Sequence, residues 1–234
     1  INNLVKTLEK QKNEIRIAVE QKRRSEIKAL EAQINPHFIY NTLDMINWIA
    51  IENKQEMISE MLSRLGGLLR YSFSNIYTMV LLEEEIEWIK KYIALQKMRF
   101  HNSFDCIYDI TEEALKFPIY KLLLQPIVEN AIIHGFEGIK SGGLIEISAF
   151  VNEDNMLVIE ICDNGCGIDE DVLVKIKEYI NDDSLFNGDN IGFSNVVNRI
   201  RLYYSGEADI EIDSKKGSGT RVSLKLPYKE EEKQ

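Results

Sequence analysis

The fold is decided by residues 156–168, which read MLVIEICDNGCGI. The apolar run at 157–161 predicts a buried strand. It leads straight into Asp163-Asn164-Gly165-Cys166-Gly167, where glycines two positions apart let the backbone turn tightly and approach a ligand closely. An Asp-x-Gly-x-Gly segment that stands alone is also an ordinary turn, so the surrounding segments decide between the two interpretations.

The rest of the second half alternates between strands and helices. Strands are predicted at 104–110, 144–151, 156–162, 208–213 and 220–226, and helices at about 119–134, 169–180 and 193–204. Strands mixed with helices in this way indicate two layers, a mixed sheet with helices on one face. We therefore expect an α/β-sandwich domain over residues 105–228, followed by a charged tail at 229–234.

The first half is helical. Residues 1–34 contain no Gly or Pro and place apolar residues near a seven-residue spacing, which suits a signalling helix or coiled-coil linker as well as a solvated helix. Only the segment that follows favours the signalling helix. Further helices are predicted through His37 to Ile51, interrupted by Pro36, then from about Lys54 to Phe73 and from about Leu82 to Phe100. Two helices joined by a short polar link pack antiparallel, and two copies form a four-helix bundle. We therefore expect an α+β fold with a dimerisation hairpin at 35–80 and a connecting helix at 81–104.

The composition excludes some classes of protein. With 44% hydrophobic and 28% charged residues, the 234-residue chain is typical of a soluble globular protein. A net charge of −10 argues against a general nucleic-acid or anionic-membrane binder, because either needs a clustered basic surface. Three cysteines without a disulfide framework favour a reducing cytoplasm. No apolar run approaches the roughly 20 residues of a membrane span, and a chain that starts at Ile1 is expected to be cut from a longer one.

Three further segments carry polar residues that suit a ligand. Glu129 and Asn130 lie beside the apolar face of a core helix, and their oxygens suit Mg²⁺, although surface solvation is the alternative. A polar loop ends at Gly192 where a helix begins, and helix N-termini bind phosphate. Gly217-Ser218-Gly219-Thr220 leads into the last strand, where a plain hairpin turn is also possible.

In this order, the four segments resemble the ATP-binding domain shared by gyrase, Hsp90, histidine kinases and MutL, over about residues 105–228. The resemblance implies ATP and Mg²⁺, with a mobile lid over the ATP at about 181–191. It assigns roles to individual residues: Asn130 and Glu129 as Mg²⁺ ligands, Asp163 as acceptor for the adenine amine, Gly165 and Gly167 as the shape of the adenine pocket, Gly192 facing the phosphates, and Thr220 supporting the base through its hydroxyl.

Some positions depart from the family pattern or stay open. Ile133 stands where a Lys or Arg is common, which removes one expected phosphate contact, and Asn190 replaces the first glycine of the lid. His134 shares the ATP-site helix and is a candidate neighbour of the phosphates. Arg199 and Arg201 suit a phosphate contact and a surface charge equally well.

A second resemblance lies upstream. Gln33-Ile34-Asn35-Pro36-His37-Phe38-Ile39-Tyr40-Asn41-Thr42-Leu43 resembles the phosphoacceptor box of the LytS/YesM-type sensor histidine kinases, and Leu95-Gln96-Lys97-Met98-Arg99-Phe100 resembles the segment before their ATP domain. On a helix, Gln33, His37 and Asn41 lie one turn apart and form a polar stripe. Pro36 costs roughly 3 kcal/mol inside a helix, which indicates a local bend that presents the histidine.

The resemblance implies a protein histidine kinase that phosphorylates its own His37 from Mg-ATP, by positioning and charge neutralisation. The phosphoryl group would pass to an aspartate in the receiver domain of a response regulator. The implied protein is a homodimer, and this chain would be the cytoplasmic portion of a parent anchored in the membrane through an N-terminal sensor. Many histidine kinases place an acidic residue after the histidine; Phe38 stands here, so the base is open between Glu129 and Asn41. Two alternatives remain, an ATPase of the same fold that drives a conformational clamp and a non-catalytic dimeric signalling module.

Overall fold

The computed structural model describes residues 36–73, 78–181, 191–204 and 206–228. The predicted signalling helix, most of the predicted lid and the charged tail lie outside the described residues. The chain divides into two compact units, Ile1–Gln55 and Glu56–Gln234, and each is described by itself.

In the first unit, helix α1 runs from Pro36 to Glu52, which confirms the helix predicted through His37. Its end is closed by a residue with a left-handed backbone, Lys54 at φ 55°, and by the Gln55 N–H, which donates to the Ala50 carbonyl at 2.8 Å. Because residues 1–35 lie outside the described part of the chain, the predicted bend at Pro36 stays a prediction. The surface of α1 is unusually apolar, and its most exposed large side chains are Phe38, Met45 and Trp48.

The second unit begins with two long helices, α2 (Glu56–Phe73) and α3 (Leu82–Arg99). Both match the predicted helices within two residues at each end. The acidic run that opens α3 is divided by the helix periodicity, because Glu83 and Glu84 are exposed whereas Glu85 is fully buried. The Trp88 indole packs in a stack on Tyr92 one turn later, with the ring centroids 5.3 Å apart.

A five-stranded mixed sheet forms the base of this unit. Its strands are β2 (Phe104–Ile110), β4 (Gly143–Val151), β5 (Met156–Asp163), β6 (Asp209–Ser214) and β7 (Thr220–Pro227), in the order β2-β4-β5-β7-β6. Only β2 and β4 are parallel among these pairs. The five predicted strands are confirmed to within one residue at each end. A separate antiparallel pair joins β1 (Met79–Leu81) to β3 (Pro118–Tyr120).

The helices of the second half are α4 (Glu112–Leu115), α5 (Gln125–Asn130), α6 (Glu170–Asn181) and α7 (Ile191–Tyr204), and a π-helical turn at Ala131–Gly135 continues α5. The helix predicted over 119–134 is wrong at its start. Residues 118–120 are paired as β3, and Leu122 has a left-handed backbone at φ 57°, which no helix continues through. Pro126 then lies in the first turn of α5, where a missing N–H costs nothing.

The core lies between the sheet and the helices. One face of the sheet contributes Ile145, Ile147, Ala149, Ile159, Ile212 and Leu224, and the helices contribute Ile127, Val128, Val196, Val197 and Ile200, all buried. This alternation of buried and exposed positions along each strand places the apolar face of the sheet against the helices. None of the described helices is long and apolar enough to cross a membrane.

Ile159 tests this packing. It lies on the central strand β5 between Ala149 and Leu224 and is 0% exposed, so Ile159→Ala should lower the free energy of unfolding by about 2–5 kcal/mol. Ile107 of the edge strand β2 is 52% exposed, and Ile107→Ala should cost about 1 kcal/mol or less. Urea unfolding followed by circular dichroism measures both changes. Equal costs at the two positions would contradict the packing described here.

Candidate functional site

A cavity of about 540 Å³ opens between the sheet and the helices of the second unit. Its wall is built by α5 and the π-helical turn, the end of β5 with the loop that follows, α6, the first turns of α7, and the strands β6 and β7. Five of the predicted site residues line it: Asn130, His134, Asp163, Gly167 and Thr220. The fold therefore brings together segments that are up to 90 positions apart in the sequence.

Asp163 is the last residue of β5, where it pairs with Ile145 on one side and Thr220 on the other. Its Oδ1 accepts a hydrogen bond from the Gly165 N–H at 2.8 Å. Burial raises the pKa of this carboxyl group, and hydrogen bonds from the backbone of Gly165 and Thr220 offset only part of that increase. The site thus holds a partly desolvated acceptor whose position is set by the sheet.

The two glycines after Asp163 are required by close backbone contacts. A Cβ on Gly165 would overlap the carbonyl group of Gly135, and Gly167 has φ 66° with its Cβ position overlapping the carbonyl group of Lys215. Between them, the Cys166 N–H donates to the Gly135 carbonyl at 2.7 Å. Gly165 does not line the cavity; it allows the loop to pack against the π-helical turn that does.

The π-helical turn after Asn130 was not predicted. Turns of this kind are rare, and those inside helices are frequently found at functional sites. Here the wider turn places Asn130, Ala131, His134 and Gly135 in the cavity wall, and it leaves the Gly135 carbonyl to accept from the loop after β5. Ile133, which stands where a Lys or Arg is common in the family, is 47% exposed and lies outside the cavity wall.

Thr220 begins β7 and is held by a serine that sequence reasoning missed. Ser214 Oγ lies 3.0 Å from Thr220 Oγ1, donates to the Gly219 carbonyl at 2.8 Å and accepts from the Ile168 N–H at 2.9 Å. One hydroxyl therefore joins the end of β6, the start of β7 and the loop after β5. No local pattern in the sequence singles out Ser214, because the contact depends on the pairing of β6 with β7.

Glu129 has a different environment from its neighbour. It is half-buried outside the cavity wall, and its Oε1 accepts from Gln125 Nε2 at 2.6 Å. Tyr92 of α3 lies near it, and burial together with the Glu129 charge raises the pKa of Tyr92 to about 12. A hydrogen bond within α5 thus holds the Glu129 carboxylate.

The two arginines of α7 are half-buried, and each donates to backbone carbonyl groups. Arg199 Nη1 donates to the Leu122 carbonyl at 2.6 Å, and Arg201 Nη2 donates to the carbonyls of Tyr179 and Ile180 at the end of α6. Gly192 lies in the first turn of the same helix, next to Phe193 in the cavity wall. Glu137, Cys166 and the apolar wall residues Ile168, Val172 and Ile176 were also missed by sequence reasoning.

His37 lies on α1 in the first unit and is exposed. Its Nδ1 is 3.2 Å from Asn41 Nδ2, one turn along the helix, as the polar stripe predicts. An amide nitrogen can only donate, so Asn41 Nδ2 donates to Nδ1 in the tautomer that leaves Nδ1 without a proton. Phe38 is 68% exposed and offers the histidine no proton acceptor.

Two family models match the chain: "Histidine kinase" over residues 25–104 and "Histidine kinase-, DNA gyrase B-, and HSP90-like ATPase" over residues 118–230. The sensor histidine kinase YesM of Bacillus subtilis (strain 168) is 36% identical over 207 residues, which is 88% of this chain and 34% of that protein. The sensor protein kinase HptS of Staphylococcus aureus (strain USA300) is 31% identical over 202 residues, 86% of this chain and 38% of that protein. The chain thus spans little more than a third of the length of these relatives.

Among solved structures, the histidine kinase domain of the Erythrobacter litoralis EL346 blue-light activated histidine kinase is 17% identical, with a TM-score of 0.47 over 80% of this chain and 85% of that one. At that score the likeness adds nothing to the strand order described above. The sequence relatives and the family models carry the assignment, and they confirm the resemblance predicted from the motifs. The chain joins a histidine kinase segment to an ATPase domain of the gyrase B and HSP90 type, and it belongs to the sensor histidine kinases.

Proposed function

We propose that this chain binds Mg-ATP in the 540 Å³ cavity and transfers the γ-phosphoryl group to its own His37. The observation that carries the proposal is the meeting of Asn130, Asp163, Gly167 and Thr220 in one cavity wall, in a chain whose other unit exposes a histidine beside Asn41. The phosphoryl group then passes to an aspartate of a response regulator.

The cavity suits an adenine base. Its apolar wall, with Ile161, Ile176 and Val222 among its members, offers a surface for the faces of a planar ring. At its polar end, the ionised Asp163 carboxylate accepts from the exocyclic amine, and the Thr220 hydroxyl supports the same edge. The phosphates then extend toward Asn130, His134 and the N-terminus of α7 at Gly192, where free amides and the helix dipole favour negative charge.

The donor set fits a magnesium ion held mainly by phosphate. Within the described ranges, no three His, Cys, Asp or Glu side chains converge on a possible metal site. Mg²⁺ in kinase sites keeps several waters and takes one or two protein oxygens besides the phosphates. Asn130 in the wall would supply such an oxygen, whereas the Glu129 carboxylate lies outside the wall, where Gln125 donates to it. When bound, the ion neutralises charge on the transferring group.

His37 supplies the nucleophile. Because Nδ1 is the nitrogen that faces Asn41, we propose Nε2 as the attacking atom. In the attacking tautomer Nδ1 carries the proton, and rotation of the Asn41 carboxamide from its orientation in the structure would let its oxygen accept from Nδ1–H. A bond forms between nitrogen and the γ-phosphorus, the bond from that phosphorus to the bridging oxygen of ADP breaks, and the imidazole proton goes to a base. We assign that base to Glu129, which Gln125 holds in place.

The assembly around this reaction is also part of the proposal. Phe38, Met45 and Trp48 expose apolar surface on α1, and a second copy of the chain would cover it in a four-helix bundle. Since the chain spans little more than a third of its relatives, we propose that it is the cytoplasmic portion of a membrane-anchored parent that carries the sensor.

The acceptor is tested by labelling with γ-labelled ATP and Mg²⁺. His37→Asn should abolish acid-labile, base-stable label, because the nucleophile is gone. The matched control is His101→Asn, since His101 is in a turn at φ 53° that Asn tolerates, and it should label like the wild type. Equal label in the two variants would end the assignment. Steady phosphate release without protein label would instead support an ATPase clamp.

Asp163→Asn separates binding from stability. Its raised pKa means that the ionised carboxylate costs folding free energy at neutral pH, a cost that disappears as the pH falls through the folded-state pKa. The variant should therefore melt at the same or a higher temperature at pH 7–8. The Gly165 N–H donates to Oδ1, so the carboxamide oxygen of the variant should take that position and its NH₂ should face the adenine amine. Two donors would then meet, and ADP affinity should fall on the order of tenfold or more.

Asp213→Asn is the matched control for that substitution. Asp213 lies outside the cavity wall, and its hydrogen bond to Lys177 lowers the pKa of the carboxyl group, the opposite direction. This variant should gain no stability and should bind ADP like the wild type. Isothermal titration and thermal melts measure both properties, and unchanged ADP affinity in Asp163→Asn would contradict the adenine assignment.

The base assignment is tested with two carboxylates near the site. Glu129→Gln should lower the labelling rate by on the order of a hundredfold while ADP affinity is kept, because general-base catalysis contributes about that much. Glu137 lies in the cavity wall but is exposed beyond the helix, and Glu137→Gln should label at nearly the wild-type rate. The reverse ranking in single-turnover labelling would move the base to Glu137.

A further inference from the structure

Two oppositely charged side chains are buried at a distance from the cavity wall, and the proposed reaction uses neither. Glu85 of α3 is 0% exposed, and Lys121, which follows β3, is 5% exposed. Burial raises the pKa of Glu85, although hydrogen bonds from Leu122 and Tyr71 and the Lys121 charge oppose that increase. Buried charges are rare unless they are paired, and they hold particular partners in place.

The partner that Glu85 holds is the backbone of Leu122. The Leu122 N–H donates to Glu85 Oε1 at 2.8 Å, and the Leu122 carbonyl accepts from Arg199 Nη1 at 2.6 Å. Leu122 is a non-glycine residue at φ 57°, a conformation that costs an isolated residue energy and persists where the surroundings impose it. Hydrogen bonds from two helices therefore hold the Leu122 peptide groups, one to Glu85 of α3 and one from Arg199 of α7. We call this set of contacts the Leu122 clamp.

Tyr71 connects this clamp to α2. Its hydroxyl donates to the same oxygen, Glu85 Oε1, at 2.7 Å, and Lys121 Nζ lies 3.8 Å from the centroid of its ring. Tyr71 is in the last turn of α2, the helix that follows the His37 helix in the sequence. A single carboxylate oxygen thus joins a side chain of α2 to the backbone of the loop before α5.

Leu122 connects the clamp to helices that line the proposed nucleotide site. Three residues later α5 begins, and α5 ends at Asn130 in the cavity wall. Arg199 belongs to α7, whose first turns contain Gly192 and the wall residue Phe193. A shift of the Leu122 backbone therefore acts on the start of α5 and, through Arg199, on the middle of α7.

We propose that Glu85, Tyr71 and Arg199 are positioning residues that act through the Leu122 backbone and couple the end of α2 to the nucleotide site. The proposal rests on the proposed function, since it assigns the cavity to the nucleotide. Coupling is reciprocal, so a change at Tyr71 alters nucleotide affinity although Tyr71 does not line the cavity.

The first test needs no nucleotide. Tyr71→Phe keeps the ring that Lys121 contacts and removes only the hydroxyl that Glu85 accepts from. Hydrogen–deuterium exchange of the whole chain should become faster in peptides covering 122–135 and stay unchanged in 143–163, because the clamp is local. Tyr108→Phe is the matched control: Tyr108 is half-buried on the edge strand β2 and should leave 122–135 unchanged.

The second test is a double-mutant cycle on Mg-ADP affinity by isothermal titration. Tyr71→Phe and Arg199→Met should each weaken binding on the order of fivefold, and the double variant should be no weaker than the weaker single, because both cut one clamp. Arg199→Lys keeps a donor for the Leu122 carbonyl, so this variant should bind Mg-ADP with nearly the wild-type affinity. Unchanged exchange in 122–135, faster exchange spread equally over 143–163, or fully additive losses would overturn the proposal. Absence of label on wild-type His37 would defeat the proposed function but would not alter the exchange comparison.

Discussion

The cavity proposed as the nucleotide site depends on one close backbone contact, between the loop that follows β5 and the π-helical turn that follows α5. The Gly135 carbonyl accepts from the Cys166 N–H at 2.7 Å, and Gly165 has room for no side chain beside it. This contact joins the sheet to the helical layer at the polar end of the cavity. Asp163 on one side and Asn130 on the other are brought to the same wall because two backbones meet without side chains between them.

Two carboxylates in this chain, Asp163 and Glu85, both lose contact with water but differ in what surrounds them. Asp163 is partly desolvated, with an oxygen turned toward backbone amides and a raised pKa, and it faces a cavity that a ligand with an amine would fill. Glu85 is buried more completely, but it is surrounded by donors from Tyr71 and Leu122 and by the Lys121 charge. A ligand can complete the environment of Asp163, whereas the donors to Glu85 come from the protein and both meet Oε1, which leaves Oε2 buried without a hydrogen-bond partner among the described residues.

Much of the fold could be predicted because its signals are local. The five strands follow from short apolar runs bounded by turns, and α2, α3, α6 and α7 follow from helical spacing. The motif at Asp163, Gly165 and Gly167 could be recognised for a similar reason. These residues are neighbours in the sequence, and their spacing alone distinguishes the segment. The helix predicted over 119–134 failed at its start because strand pairing of 118–120 with β1 overrides the helical propensity of that segment.

By itself, the sequence predicted the five strands of the large sheet and the longer helices, and its motifs carried the resemblance to the sensor histidine kinases, because each of these depends on neighbours a few positions away. Only the tertiary structure decided the partners of Arg199, the support of Thr220 by Ser214, the π-helical turn beside Asn130 and the burial of Glu85. The physical reason is sequence separation. Arg199 and Leu122 are 77 positions apart, and no local pattern reports a hydrogen bond whose two atoms meet only after the sheet and the helices have packed.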